Sequence, residues 1–358
     1  MANVDQILLP VASKDYPRNY AEFLGWFSDD AACLDYLDWL RWPSGFSCPQ
    51  CSCEKGWRMG DGRWWCKACQ RRISATSGTI FHHTQTPLTV WFSAAWHMTA
   101  PKNGVSAKTL HCLLGFGSYQ SAWAMLHRFR GAIGHTAHDR LSGNVEVDET
   151  VIGGVRSGKR GRGAAGKILV AVAVEQKIPK GFGRCRLQVI LNAESDTLRS
   201  FLLIHIEPGS TILTDGLASY PAAAGSDYCH HSTPIKASGM EAHELLPGVH
   251  RVASLVKRWL LGTHHQGSIG TEHMQAYLDE FTFRFNRRGS RARGMLFYRL
   301  LQQSIAMAPI SFHDLVANPK PRKDGEVRPT PPSSRRTAPS SLRMQTPSHP
   351  WRHHGEAS

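Results

Sequence analysis

A chain of 358 residues with 41% apolar content has room for two or three small domains, each with a genuine core. Its 42 Lys and Arg against 28 Asp and Glu leave a formal charge of +14, which points to a polyanionic partner, nucleic acid ahead of an anionic membrane. No apolar run of roughly 18 residues occurs, and the N-terminus MANVDQILLP lacks a signal-peptide layout; the expectation is a soluble cytoplasmic protein with no membrane partner and mostly reduced cysteines.

Residues 1–43 read as a helical segment. Ala21, Phe23, Leu24 and Phe27, then Cys33, Leu34, Leu37 and Leu40, recur at helical spacing, with Asp29 and Asp30 as caps and Trp26, Trp39 and Trp42 assigned to the core. Residues 44–85 carry Cys48-Pro-Gln-Cys51 and Cys66-Lys-Ala-Cys69. Two such knuckles meet as short hairpins and offer four thiolates to one tetrahedral Zn2+, a structural site with no open position for water. Cys53 is an alternative ligand or a decoy, and His82 and His83 read as surface residues. Trp57, Arg58, Arg63, Trp64, Trp65, Lys67, Arg71 and Arg72 interleave rings with cations, a pattern suited to phosphate contact and stacking, one Trp covering the metal.

Residues 86–140 begin with an apolar helix at 88–100, broken at Pro101. Segments 106–116 and 118–133 then read as two helices joined at Gly115-Phe-Gly117, either a helix-turn-helix or a plain helical hairpin. In the first case Gln120, His127, Arg128 and Arg130 lie on the groove-facing helix.

Residues 141–305 change character. Asn144–Gly154 alternates like a strand, with Val145 and Val147 on one face and Glu146, Asp148 and Thr150 on the other; carboxylates there are costly unless they bind something. A basic Gly-rich turn at 156–167, strands at 168–174 and 185–191, a helix at 195–206 and a strand at 211–214 ending in Asp215-Gly216 follow. Together they predict a mixed α/β sheet covered by helices. In the next helix His250, Ser254 and Lys257 fall at i, i+4 and i+7 on one face, opposite Val252, Leu255, Val256 and Trp259. A further helix, 272–285, runs into a basic end with Arg284, Arg287 and Arg288 expected to contact phosphate. Residues 317–358, rich in proline and in Lys and Arg, predict a disordered basic tail.

The cysteine knuckles, VEVDETVIGG at 145–154, LTDGLASY at 213–220, HRVASLVKRWLLGTHH at 250–265 and YLDEFTFRFNRR at 277–288 resemble, in that order, the DDE-type insertion-sequence transposases of the ISXO2-like group. The resemblance implies a zinc ribbon and helix-turn-helix-like region ahead of a ribonuclease-H-like catalytic domain with helices on both faces of its sheet. It implies Asp148 and Asp215 as metal ligands, with Lys257 on the phosphate. The third position, usually Glu or Asn in that family, falls here on His250, while Glu241 and Glu244 lie close enough to supply a carboxylate instead.

Phosphodiester transfer by two divalent ions ~4 Å apart is the mechanism so implied. Mg2+ or Mn2+ suits the oxygen ligands, with Mn2+ favoured by the softer imidazole. The partners are double-stranded DNA, both terminal inverted repeats and target, and a second copy of the chain, since joining two ends needs at least a dimer at the nucleoid. The competing expectations are an inactive transposase-derived DNA-binding protein and a structure-selective nuclease of the same fold.

Overall fold

Two helices, α1 (Tyr20–Trp26) and α2 (Asp30–Arg41), open the ordered core. The computed structural model describes residues 10–135, 139–153, 167–233, 242–264 and 269–316, so most of the Gly-rich turn at 156–167, Glu241 and the basic tail from 317 lie outside the described residues. Asn19 caps α1 by accepting from the Glu22 N–H at 3.0 Å, and Asp29 caps α2 by accepting from the Ala32 N–H at 2.8 Å. Asp30, the other expected cap, accepts instead from the backbone N–H of Thr89 at 2.9 Å and ties α2 to the start of α3 (Leu88–Thr99).

Between them lies a three-stranded antiparallel sheet, β1 (Gly56–Arg58), β2 (Trp64–Cys66) and β3 (Arg72–Ile73). Two further helices follow, α4 (Ala107–Leu114) and α5 (Tyr119–His135). Ser106 caps the first, and Gly115, in the left-handed conformation at φ 63°, ends it.

The five-stranded sheet has the order β6 (Phe182–Ile190), β5 (Ile168–Gln176), β4 (Asn144–Ile152), β7 (Thr211–Thr214), β8 (Cys229–Ser232). The first three strands pair antiparallel, while β7 runs parallel to β4 and β8 parallel to β7. One face packs Val145, Val147, Ala171 and Ala173 against α6 (Ser195–His205) and α7 (Ser219–Ala224). After a short helix α8 (Ala242–Leu245), the other face packs Val170, Val172 and Val174 against α9 (Pro247–His264) and α10 (Thr271–Asn286). The alternation of β4 therefore sends Glu146 and Asp148 toward α9.

The helical core is not contiguous in sequence. Helix α11 (Gly294–Ala306), grouped by the sequence with the α/β segment, inserts Leu296, Phe297, Leu300 and Leu301 among α2, α3 and α5. Phe297 is fully buried, with its ring 5.5 Å from Phe23 and 5.8 Å from Phe92. Helix α10 serves both cores, giving Phe283 to the helical one and Met274, Leu278 and Phe281 to the sheet. A short helix, α12 (Phe312–Val316), packs near α5. Among the described residues no helix is long and apolar enough to cross a membrane.

Candidate active site and zinc ribbon

In the ribbon each knuckle turns through a residue with positive φ immediately after its second cysteine, Ser52 at 56° and Gln70 at 53°. Ser52 N–H donates to the Cys48 carbonyl at 2.8 Å and Gln70 N–H to that of Cys66 at 3.0 Å, so both loops close in the same way. The four thiols of Cys48, Cys51, Cys66 and Cys69 then lie within 4.8 Å of one another, with Cys48–Cys69 at 3.7 Å and Cys51–Cys66 at 3.5 Å. A tetrahedron of Zn–S bonds near 2.3 Å has S–S edges of about 3.8 Å, so the set fits zinc. Cys53 stands outside it, its sulfur accepting from the Lys55 N–H. Trp64 covers the cluster, stacked on Phe46 at 4.8 Å, and its indole N–H donates to the buried Asp38 carboxylate at 2.6 Å, which docks the ribbon on α2.

At the sheet, Asp148 of β4 and His250 in the second turn of α9 meet, with Oδ2 and Nε2 3.9 Å apart. That separation would suit two ligands of one divalent ion, for which a carboxylate oxygen and an imidazole nitrogen are fitting donors. Asp148 Oδ1 also accepts from the Glu149 N–H at 2.7 Å. Asp215 follows the end of β7, whose last residue paired with β4 is Leu213, opposite Glu146, two positions before Asp148. Asp215 Oδ1 accepts from the Leu217 N–H at 3.1 Å. Among the described residues the cysteines are the only group whose potential ligand atoms all fall within 4.8 Å, so Asp215 does not close a three-ligand set with Asp148 and His250 at that radius. Glu244, the alternative to His250, is exposed on α8.

Lys257 sits two turns beyond His250 on α9. Burial lowers its pKa, the Asp148 carboxylate pulls the other way, and Lys167 adds to the lowering. Val252, Val256 and Trp259 are buried on the sheet side of that helix and Leu255 partly so, as the periodicity required, while Ser254 is exposed. Sequence reasoning passed over Tyr220. It is fully buried, and its hydroxyl donates to Glu149 Oε1 at 2.5 Å. Burial foremost, then Glu149, Asp148 and Asp215, raise its pKa well above the usual phenol value, so it stays a donor. Its place in LTDGLASY was the available signal.

The expected phosphate-binding cations divide sharply. Arg71 and Arg72 are exposed on the ribbon, Arg71 held by Gln50 at 3.0 Å and Arg72 lying 6.0 Å from the Trp65 ring centre. Arg58 pairs with Asp35, and Arg63 with Asp61 at 2.8 Å. Arg130 and Arg284 correct the expectation, because neither faces solvent. Arg130 is 1% exposed, donates to Glu280 Oε2 at 2.8 Å and lies 4.1 Å from the Tyr277 ring centre; Arg284 donates to Glu280 Oε1 at 3.1 Å. Arg128 donates to the Ile310 carbonyl at 2.8 Å, and His127 is buried, so neither lies on a free groove-facing surface, whereas the first turn of α5, with Gln120, is exposed. Arg287 and Arg288 fold back on Phe283 and Phe285 at 4.2 and 4.0 Å, and Arg288 also donates to the carbonyls of Phe182 and Gly183. Burial lowers the pKa of Arg287 to about 10.

A zinc ribbon joined to a mixed α/β sheet that carries acidic residues and a His–Lys helix is the layout of a DNA-processing transposase. The comparisons with known proteins agree: residues 140–286 match the ISXO2-like transposase domain and residues 28–72 the transposase zinc-ribbon domain. The chain thus carries a region similar to the ISXO2-like transposase domain behind one similar to the transposase zinc ribbon. It is also similar to the uncharacterized protein in transposable element ISH50 of Halobacterium salinarum, 27% identical over 282 residues, which cover 72% of this chain and 91% of that protein.

Proposed function

We propose that the chain cleaves DNA at the ends of its insertion sequence and joins the freed 3′ ends to target DNA, using Mg2+ or Mn2+ in a ribonuclease-H-like catalytic domain. The observation that carries this reading is the approach of His250 to Asp148 from a helix whose same face presents Lys257. Asp148, Asp215 and His250 would hold the divalent ions. When bound, these ions supply charge stabilisation on the attacking and leaving oxygens. Asp148 is set inside a nine-residue strand and paired with Val172 of β5, and Asp215 and His250 would approach it from the end of β7 and from α9. Lys257 orients the neighbouring phosphate, and its half-buried position strengthens that contact relative to a solvated lysine.

Double-stranded DNA is the partner, met by the exposed cations and rings of the ribbon, Trp57, Lys67, Arg71 and Arg72, and by the first turn of α5. Pairing of two element ends on the nucleoid requires at least two copies of the chain.

The test is cleavage and strand transfer by purified protein on terminal-repeat DNA. Asp148→Ala and Asp215→Ala are each expected to abolish both steps without loss of DNA binding. Full strand transfer by either variant would refute the site. DNA binding with no cleavage by the intact chain in either ion would favour a DNA-binding protein in place of an enzyme.

A further inference from the structure

Strand β4 carries Glu146 and Glu149 on either side of Asp148, and neither is part of the site described above. Glu146 is fully buried, a placement that is strongly unfavourable for a carboxylate unless both oxygens are bonded. Both are: Oε1 accepts from Gln176 Nε2 at 2.8 Å and Oε2 from the Val249 N–H at 2.9 Å. Val249 lies in the first turn of α9, where backbone N–H groups have no acceptor within the helix and the helix dipole favours a negative charge. His250 is the next residue. Gly248 permits the approach, because a Cβ there would come within 2.9 Å of both Glu146 Oε2 and the Phe182 ring. Glu149 points to the opposite face and receives the Tyr220 hydroxyl, five residues after Asp215.

We infer that Glu146 and Glu149 are positioning residues. Glu146 fixes the helix that carries His250, Glu149 fixes the turn that carries Asp215, and both are referenced to the strand that carries Asp148. This rests on the proposed reading of Asp148, Asp215 and His250 as metal ligands. Neither glutamate is assigned a contact with ion or DNA.

The test uses the full zinc-loaded chain and Mn2+ alone as probe, with binding followed by the free-ion electron paramagnetic resonance signal so that no turnover is needed. Glu146→Gln removes the negative charge beside the first turn of α9 and turns two charge-assisted bonds into weaker neutral ones, even with the Gln176 amide flipped to accept from the new N–H2, whereas the exchanged pair E146Q/Q176E returns a carboxylate to the same bonded pair. Tyr220→Phe removes only the hydroxyl. E146Q and Y220F are each expected to weaken Mn2+ binding about tenfold, and E146Q/Q176E to return it to within about threefold of the unaltered chain. Affinity within twofold of the unaltered chain in E146Q or Y220F overturns the inference, as does a failed rescue. Should E146Q not fold, the exchanged pair and Y220F decide. Backbone hydrogen exchange separates the inference from the reading beneath it. E146Q should speed exchange over 246–252 and leave 271–286 unchanged even if Asp148→Ala shows that Mn2+ does not bind at the sheet, and unchanged exchange over 246–252 counts against the clamp in either case.

Discussion

Glu280→Ala is expected to destabilise the protein by about 3–5 kcal/mol, because it strands two buried guanidinium groups. Arg130 and Glu280 are each 1% exposed, and Arg284 shares the same carboxylate, so no water replaces the lost partner. The pairing joins α5 of the helical core to α10 of the sheet core across 150 positions of sequence, so the loss should loosen both together. With a urea slope of roughly 2–3 kcal/mol/M, the unfolding midpoint should fall by about 1–2 M, followed by circular dichroism and tryptophan fluorescence. Arg130 Nη1 and Arg284 Nη2 lack hydrogen-bond partners among the described residues, so the network is only partly satisfied. Replacing all three groups together, R130M/E280L/R284M, should therefore cost less than Glu280→Ala alone. Burial pushes the Glu280 pKa up, but Arg130 and Arg284 outweigh it and hold it below the usual glutamate value. The stability it contributes is thus present above the unfolded pKa and lost as pH falls through the folded one. A loss under about 1 kcal/mol in Glu280→Ala, or a triple variant weaker than the single, would refute the reasoning.

Cys48→Ser, or a strong chelator, should release one zinc per chain and undo the packing of Trp64 on α2, read by metal analysis and near-ultraviolet circular dichroism. Burial raises the Asp38 carboxyl to about 6, only partly offset by the Trp64 and Arg58 contacts. A raised acid pKa means stability declines as pH rises from about 4 to about 6, so Asp38→Asn should add on the order of 2–3 kcal/mol at pH 8 and almost nothing at pH 4, measured by melting. The lowered Lys257 pKa places the loss of its charge at a lower pH than for a solvated lysine, so DNA cleavage should fall on the alkaline side and Lys257→Arg should flatten that limb; coincident pH profiles would count against a phosphate contact. Replacing Mn2+ by Mg2+ should lower activity markedly if His250 is a direct ligand, and equal rates at equal concentrations would remove it from the metal site.

The sequence by itself determined whatever rests on local spacing. Two CxxC knuckles have one economical arrangement, and alternation along 145–152 commits Asp148 to one face of a strand. Positions 250 and 257 share a helical face whatever surrounds them, and strand 168–174, apolar throughout, had to lie in the middle of a covered sheet. Strand β8 escaped notice because CHHS is short, polar and largely exposed at the sheet edge, with no apolar period to mark it.

Only the tertiary structure decided where the cations face. Arg71 and Arg130 are indistinguishable as letters, yet one is exposed on the ribbon and the other lies against Glu280, because a guanidinium goes wherever a distant carboxylate compensates its burial. The same holds for α11, whose aromatic residues fill a core built mainly by helices that precede the α/β segment, and for Glu146, whose role depends on a backbone N–H 103 positions away. Such pairings leave no periodic trace, since they are set by which surfaces meet and not by the order of residues along any one element.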